Sequence, residues 1–229
     1  MPFDRLVRRL GPQRVLDSRP VRSAEWIVGV SGGSGALLAV RFVERALAAK
    51  PARLHLVFSE ASLEVARNEL DPGLRSGEDW IARLRLPAAA ARRIALHANE
   101  NVGASIASGS YPVAGMIVIP CSAGTLGAIA NGISRDLLQR AADVQLKERR
   151  PLVLAFRESP LSLVHIENMR RATLAGAIVA PPTPAFYVDR PDMTRFLDAY
   201  CQRAARLLGF ELPGETFSWK GSRRAGPRR

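Results

Sequence analysis

The sequence predicts an α/β fold, a three-layer αβα sandwich with a mainly parallel sheet, and three observations carry that prediction. Short apolar runs rich in β-branched residues, such as residues 116–119, alternate with longer stretches of helical periodicity. Each apolar run ends in a turn of glycine or hydroxyl residues, as strands feeding crossover helices do. With 229 residues, 47% of them hydrophobic, and no long polar linker, the chain has the material for one substantial core. Such an arrangement is Rossmann- or flavodoxin-like.

In chain order, residues 1–23 are Arg-rich and broken by Gly11, Pro12 and Pro20, and read as a basic N-terminal extension. Asp4, Asp17 and the lack of serine enrichment argue against a transit peptide. The α/β domain spans 24–210. Its first strand, 26–30, stops at S-G-G-S-G, residues 31–35. A helix follows over 36–49, with Leu37, Val40, Val43 and Leu47 on one face. Strand, glycine loop and helix together set a phosphate against free helix N–H groups, although a tight turn needs glycine without any ligand. The offsets are not those of a dinucleotide G-x-G-x-x-G.

The second strand is 54–58, and Ser59 is the N-cap of a helix over 61–70. Pro72, Gly73 and Gly77 break the next stretch, which holds a short helix at 80–86 and a strand at 94–97. Residues 104–111, A-S-I-A-S-G-S-Y, form a small hydroxyl-rich loop before the central strand at 116–119. Beyond it come a turn at 121–125, a helix bearing Arg140 and Lys147, and a strand at 152–156 that delivers Arg157 and Glu158. A helix over 161–175, a strand at 177–180 and the proline-rich loop 181–187 with Tyr187 follow. A last amphipathic helix, 193–208, contains Arg203, and a C-terminal tail over 211–229 holds Phe217 and Trp219.

Ligands of open α/β sheets lie outside the C-terminal strand ends. The hydroxyls and N–H groups of 121–125, with Arg140, Lys147, Arg157 and Glu158, are therefore expected on one rim, as a site for an anionic ligand. Any one of these residues alone reads as an ordinary surface group; their joint spacing favours the site.

The net charge of +12 does not by itself mean nucleic acid. Six Arg against two Asp in 1–23, and five Lys or Arg against two Glu in 211–229, put seven of the twelve excess charges in the ends, without interleaved aromatics. No apolar run approaches the roughly 20 residues that span a bilayer. Nucleic acid and membrane are thus not expected partners. Cys121 and Cys201 are too few and too far apart for a disulfide framework, which fits a reducing, cytoplasmic setting. His55, His97 and His165 lack metal-ligand spacing and read as packing or surface residues, so no metal site is assigned.

Residues 120–160 contain P-C-S-A-G-T-L, R-A-A-D-V-Q-L-K-E-R-R-P-L-V-L and R-E-S-P-L. In these the chain resembles the UbiX family of flavin prenyltransferases, and the similarity runs from about residue 26 to residue 219. The resemblance implies the homo-oligomeric flavin-containing decarboxylase-like fold. It implies that FMN is held by Gly32, Gly33, Ser34, Ser59, Ser122, Ala123, Gly124, Thr125 and Arg157, and that Gly33 stands where the family has alanine. Arg140, Lys147, Tyr187 and Arg203 match positions that grip the phosphate of dimethylallyl monophosphate, and Trp219 is placed against the dimethylallyl cation. Glu158 is the implied acid–base group, with Ser34 at flavin N5 and Glu69 near the prenyl site. A tryptophan frequent in the family is replaced near Val102.

The implied reaction joins the dimethylallyl group to N5 and C6 of reduced FMN. The cations, not a metal, stabilise the leaving phosphate, and a UbiD-type decarboxylase receives the product. Relatives form trimers assembled into dodecamers, with sites at subunit interfaces. Two alternatives stand beside this reading: an FMN-dependent cysteine-type decarboxylase of the same fold, and a non-enzymatic flavin carrier. The decarboxylases use a P-A-S-A-N-T-type turn and a histidine, whereas this turn is P-C-S-A-G-T. Retention of Glu158, Lys147 and Arg203 together argues against a bare carrier.

Overall fold

The computed structural model describes residues 24–188 and 192–218. Among them six strands form one sheet: β1 (Glu25–Val30), β2 (Arg53–Phe58), β3 (Ile94–His97), β4 (Gly115–Cys121), β5 (Leu152–Phe156) and β6 (Ile178–Val179). Their order is β3-β2-β1-β4-β5-β6, and every pairing is parallel. The central strands are apolar on both faces, as a doubly covered sheet requires. Val28, Val30, Ile117, Ile119, Val153 and Ala155 point to one side, into a core closed by α1 (Ala36–Ala48) and α8 (Met193–Leu207). Ile27, Met116, Val118, Leu152, Leu154 and Phe156 point to the other, toward α5 (Ala123–Ala130), α6 (Leu137–Lys147) and α7 (Leu163–Ala175). The predicted αβα sandwich is the observed one.

The chain winds from β1 outward through β2 to β3, then returns to β4 and winds the other way through β5 to β6. The strand order therefore reverses between β1 and β4, and the crevice at their C-terminal ends is where such sheets take ligands.

Three local expectations are corrected. Strand β4 continues to Cys121 and α5 begins at Ala123, so the turn expected at 121–125 is a strand end, one capping serine and a first helical turn. The helix expected to carry Arg140 is preceded by a separate one: α5 stops at Asn131, and Gly132, at φ +67°, takes a left-handed conformation that favours glycine. On α1, Val40, Val43 and Leu47 are buried, but Leu37 is 49% exposed. The buried stripe runs through Ala36, Ala39 and Ala46, small residues that let the helix sit close to the sheet, and Leu37 falls on the opposite side with Arg41 and Glu44.

Two further helices lie between β2 and β3 after α2 (Glu60–Glu69): α3 (Gly77–Arg83) and the short α4 (Ala88–Ala91). Helix α3 starts three residues before the predicted 80–86, with Ser76 and Asp79 forming a capping box that buries Trp80 against the core. After α8, Leu212 is buried, and Gln202 bonds the Glu215 carbonyl and the Phe217 N–H. The start of the C-terminal tail thus packs back on the domain.

Candidate functional site

The rim at the β1–β4 crevice is assembled by Ser31. Its side chain is buried; its hydroxyl donates to the Pro120 carbonyl at 3.0 Å and accepts the Ser122 N–H at 2.8 Å. One side chain thereby ties the loop after β1 to the end of β4. Arg157 adds a second tie, its N–H bonding the Cys121 carbonyl at 3.2 Å and its Nε donating to the Ser34 carbonyl at 2.9 Å. Loop 31–35 is thus tied to the ends of both β4 and β5, with Ser34 exposed.

Helix α2 lies along the same loop. An added Cβ at Gly32 would stand 2.6 Å from the Ala61 side chain in the first turn, and the last residue, Glu69, reaches the start of α1. The Glu69 carboxylate accepts the Gly35 N–H at 2.9 Å and the Ala36 N–H at 2.7 Å. The phosphate seat expected at this helix N-terminus therefore already holds a carboxylate. Burial alone would raise the Glu69 pKa. The Ser34 hydroxyl, the two backbone N–H groups and the nearby Arg157 charge outweigh it and hold the pKa below the ordinary value. An ionised Glu69 can only accept, so the Ser34 hydroxyl is its donor.

Helix α5 offers a second, open N-terminus. Ser122 caps it, its hydroxyl accepting the Thr125 N–H at 3.3 Å and donating to Thr125 Oγ1 at 3.1 Å. No atom lies within 4 Å of a Cβ built on Gly124, so the first turn faces free space. Among the described residues, no hydrogen bond uses the N–H of Gly32 or Ser34. Ser59 caps α2 through the Ser62 N–H at 3.2 Å. Together these free N–H groups, serine hydroxyls and Arg157 are the donor set that a phosphate-bearing, hydrogen-bonding ring system requires. Cys121, beside them in sequence, is fully buried and its thiol is pushed well up by burial, so it stays a neutral packing group.

Glu158 is exposed next to Arg157, and its Oε1 accepts the Ser159 N–H at 3.0 Å. Among the described residues it forms no salt bridge: Lys147 is paired with Glu148, and Arg157 is turned to Ser34.

The expected convergence on one rim fails for Lys147. Helix α6 runs against the strand direction. Leu137 at its start bonds Asn99, just past the end of β3, whereas its last residues lead to Pro151, which pairs with Met116 at the start of β4. Eleven residues at about 1.5 Å each carry Lys147 roughly 15 Å from the first turn, toward the N-terminal ends of the strands. Arg140 and Lys147 instead flank the loop 104–111. The Arg140 Nε donates to the Ala107 carbonyl at 3.1 Å, and Lys147 with Glu148 packs against Gly109, leaving no room for a side chain there. Tyr187 and Arg203 line a third place, a cleft of about 620 Å³ between β6 and α8, with Thr183, Tyr200 and Phe217. Trp219 lies outside the described residues.

The family model described as Flavoprotein matches residues 15–194. The flavin prenyltransferase UbiX of Thauera aromatica is 45% identical over 198 residues, 86% of this chain and 94% of that one. The chain belongs to the flavin prenyltransferase UbiX family. Two solved UbiX-type structures superpose along nearly their whole length. AnUbiX (PadA1), in complex with FMN and dimethylallyl pyrophosphate, has a TM-score of 0.76 at 35% identity, covering 88% of this chain and all of that one. The dodecameric FMN-dependent Ubix-like decarboxylase of Escherichia coli O157:H7 has a TM-score of 0.74 at 37% identity, covering 86% of this chain and all of that one.

Of the residues assigned by resemblance to this UbiX site, Gly32, Gly33, Ser34, Glu69, Ser122, Ala123, Gly124, Thr125 and Arg157 share the crevice rim, and Ser59 and Glu158 border it. Ser31 escaped the sequence reading. Its only signal was its place as first residue of S-G-G-S-G, where a buried serine can reach across to a neighbouring strand.

Proposed function

We propose that the chain is a flavin prenyltransferase that joins the dimethylallyl group of dimethylallyl monophosphate to N5 and C6 of reduced FMN, for use by a UbiD-type decarboxylase. The observation that carries the reading is the Ser34–Glu69–Arg157 cluster at the β1–β4 crevice. It sets a hydroxyl, an ionised carboxylate and a guanidinium beside the unused N–H groups of Gly32 and Ser34. Reduced FMN supplies the nucleophilic N5 and C6 when bound.

In this reading Gly32, Gly33, Ser59, Arg157 and the first turn of α5 bind and orient FMN. Ser34, its hydroxyl hydrogen given to Glu69, accepts a hydrogen bond at N5. Glu158 takes the proton lost when the ring closes. Tyr187 and Arg203 hold the departing phosphate, and its remaining charge is met by Arg140 and Lys147. Because Lys147 lies away from its own rim with Arg140 on the same loop, and Tyr187 and Arg203 line a separate cleft, these groups serve the crevice of another copy. The proposed site is therefore composite, in a homo-oligomer of the trimer or dodecamer kind. Among the described residues the histidines bond each other, Glu25 and Ser162 rather than Ser34, Glu69 or Arg157, which favours the prenyltransferase over a histidine-dependent cysteine decarboxylase. Anaerobic incubation with reduced FMN and dimethylallyl monophosphate, followed by mass spectrometry, tests the proposal. A flavin product heavier by one dimethylallyl group and carrying two new bonds is expected, and unmodified FMN would overturn it.

A further inference from the structure

Away from the crevice, four titratable side chains from four separate segments stand in one hydrogen-bonded row. The Tyr111 hydroxyl donates to Glu25 Oε2 at 2.7 Å, and His55 Nε2 lies 2.9 Å from the same oxygen. His55 Nδ1 lies 2.9 Å from His97 Nε2, and the two rings stack at 5.2 Å. His55 is buried, so each of its nitrogens needs a partner inside the protein. The row orders itself. Burial would raise the Glu25 pKa, but the bonds from His55 and Tyr111 and the nearby Arg53 charge hold it low, so Glu25 is an acceptor only. His55 Nε2 must then carry its hydrogen, which leaves Nδ1 to accept the Nε2–H of His97. Burial keeps both imidazoles neutral at ordinary pH. Read from sequence as packing residues, the two histidines instead brace a carboxylate.

That carboxylate anchors the end of the loop 104–111. Arg150 fastens the same loop from the other side, donating to the carbonyls of Tyr111 at 2.9 Å and Gly109 at 2.7 Å. The loop is in turn the seat of both cations on α6: Arg140 bonds the Ala107 carbonyl, and Lys147 lies on Gly109. We infer that Tyr111, held by the Glu25–His55–His97 row, is a positioning residue that sets Arg140 and Lys147 for the phosphate of the prenyl substrate. The phosphate part of this inference rests on the function proposed above; the tethering of the loop does not.

The test compares wild type with Tyr111→Phe and Glu25→Gln as intact oligomers. Phenylalanine keeps the ring edge against His55 and removes only the hydroxyl. The bonds from Tyr111 and His55 fall on one Glu25 oxygen, which the glutamine amide also supplies. Titration calorimetry with dimethylallyl monophosphate, in the presence of FMN, should give about three- to ten-fold weaker binding for Tyr111→Phe. This is below the roughly ten- to hundred-fold scale of a lost hydrogen bond to a charged group because Tyr111 acts on the phosphate only through the loop. Affinity for FMN should not change, and Glu25→Gln, whose oxygen still accepts both donors without the charge, should lose less prenyl-phosphate affinity than Tyr111→Phe. Hydrogen exchange should quicken in Tyr111→Phe over 104–111. Unchanged prenyl-phosphate affinity in Tyr111→Phe, or an equal loss of FMN and prenyl phosphate, overturns the positioning role. If wild type binds no dimethylallyl monophosphate, the substrate assignment fails, and unchanged exchange over 104–111 would then dispose of the tether too.

Discussion

The Glu69 carboxylate sits 2.7 Å from the Ala36 amide nitrogen, so the last residue of α2 caps the N-terminus of α1 from outside that helix. A loop that looks made for phosphate is closed by the protein's own anion, and the same oxygen takes the Gly35 N–H.

Removing that carboxylate has two expected effects. Glu69→Ala leaves the Gly35 and Ala36 N–H groups without their partner and should cost about 0.5–2 kcal/mol, the range of a lost helix cap. It also vacates an anion seat at a helix N-terminus. Thermal unfolding with and without inorganic phosphate should therefore show a larger phosphate-induced rise in Tm for the variant than for wild type. Equal responses would mean that the seat collapses once Glu69 is gone.

The two adjacent glycines should behave oppositely. A Cβ at Gly33 meets the Pro120 side chain at 3.4 Å and the Cys121 backbone at 3.5 Å, ordinary contacts, and the position has no positive φ. Gly33→Ala should be tolerated, or stabilising by about 0.4–1 kcal/mol through the unfolded chain. Gly32→Ala drives a methyl to 2.6 Å from Ala61 and should destabilise by about 1–3 kcal/mol. Denaturant midpoints measure both, and the reverse order would refute the packing described for α2.

Glu158 forms no ion pair among the described residues, and the proposed reaction gives it the proton transfer. Glu158→Gln should fold, bind FMN and turn over roughly 10²–10⁴-fold more slowly. Lys147→Ala should instead weaken prenyl-phosphate binding with FMN retained. If the site is composite, oligomers co-assembled from equal amounts of the two variants regain about a quarter of the wild-type activity, because some sites then draw both intact residues from different copies. Activity no higher than the mean of the separate variants would place Glu158 and Lys147 in one chain's site.

Stability should fall on mild acidification. His55 and His97 titrate below the ordinary histidine value in the folded chain. As pH drops through about 6.5, the unfolded chain binds protons first, and stability that is full above this value is lost until the folded histidines also protonate. Glu25, Glu69 and Asp198, also lowered, add a similar loss only in the carboxylate range, below about 4.5. Urea midpoints at pH 7.5 and 5.5 should differ in wild type and differ less in His97→Gln. A wild-type midpoint that does not move across this window would contradict the burial of the pair.

The sequence alone determined the alternation of strand and helix, because burial on both faces of a parallel strand writes itself as a continuous apolar run, which β1, β4 and β5 carry and which β2 carries with His55 as its one interruption. It also determined the Ser59 cap, which acts within three residues of itself; Ser122 caps at the same range, but in a stretch that reads in sequence only as a turn. The family motifs in 120–160 marked most of the residues around the crevice. What only the tertiary structure decided were contacts between residues far apart in the chain. Glu69 finds Ala36 across 33 residues, Ser31 finds Pro120 across 89, and Tyr111 finds Glu25 across 86. No local spacing encodes such pairs, because they depend on which strands become neighbours and on how a helix crosses the rim. The direction of α6 is of the same kind. Arg140 and Lys147 look near Arg157 in sequence, but a crossover helix must run back against its strands before the next parallel strand can begin, and that geometry takes Lys147 to the N-terminal ends of its own strands.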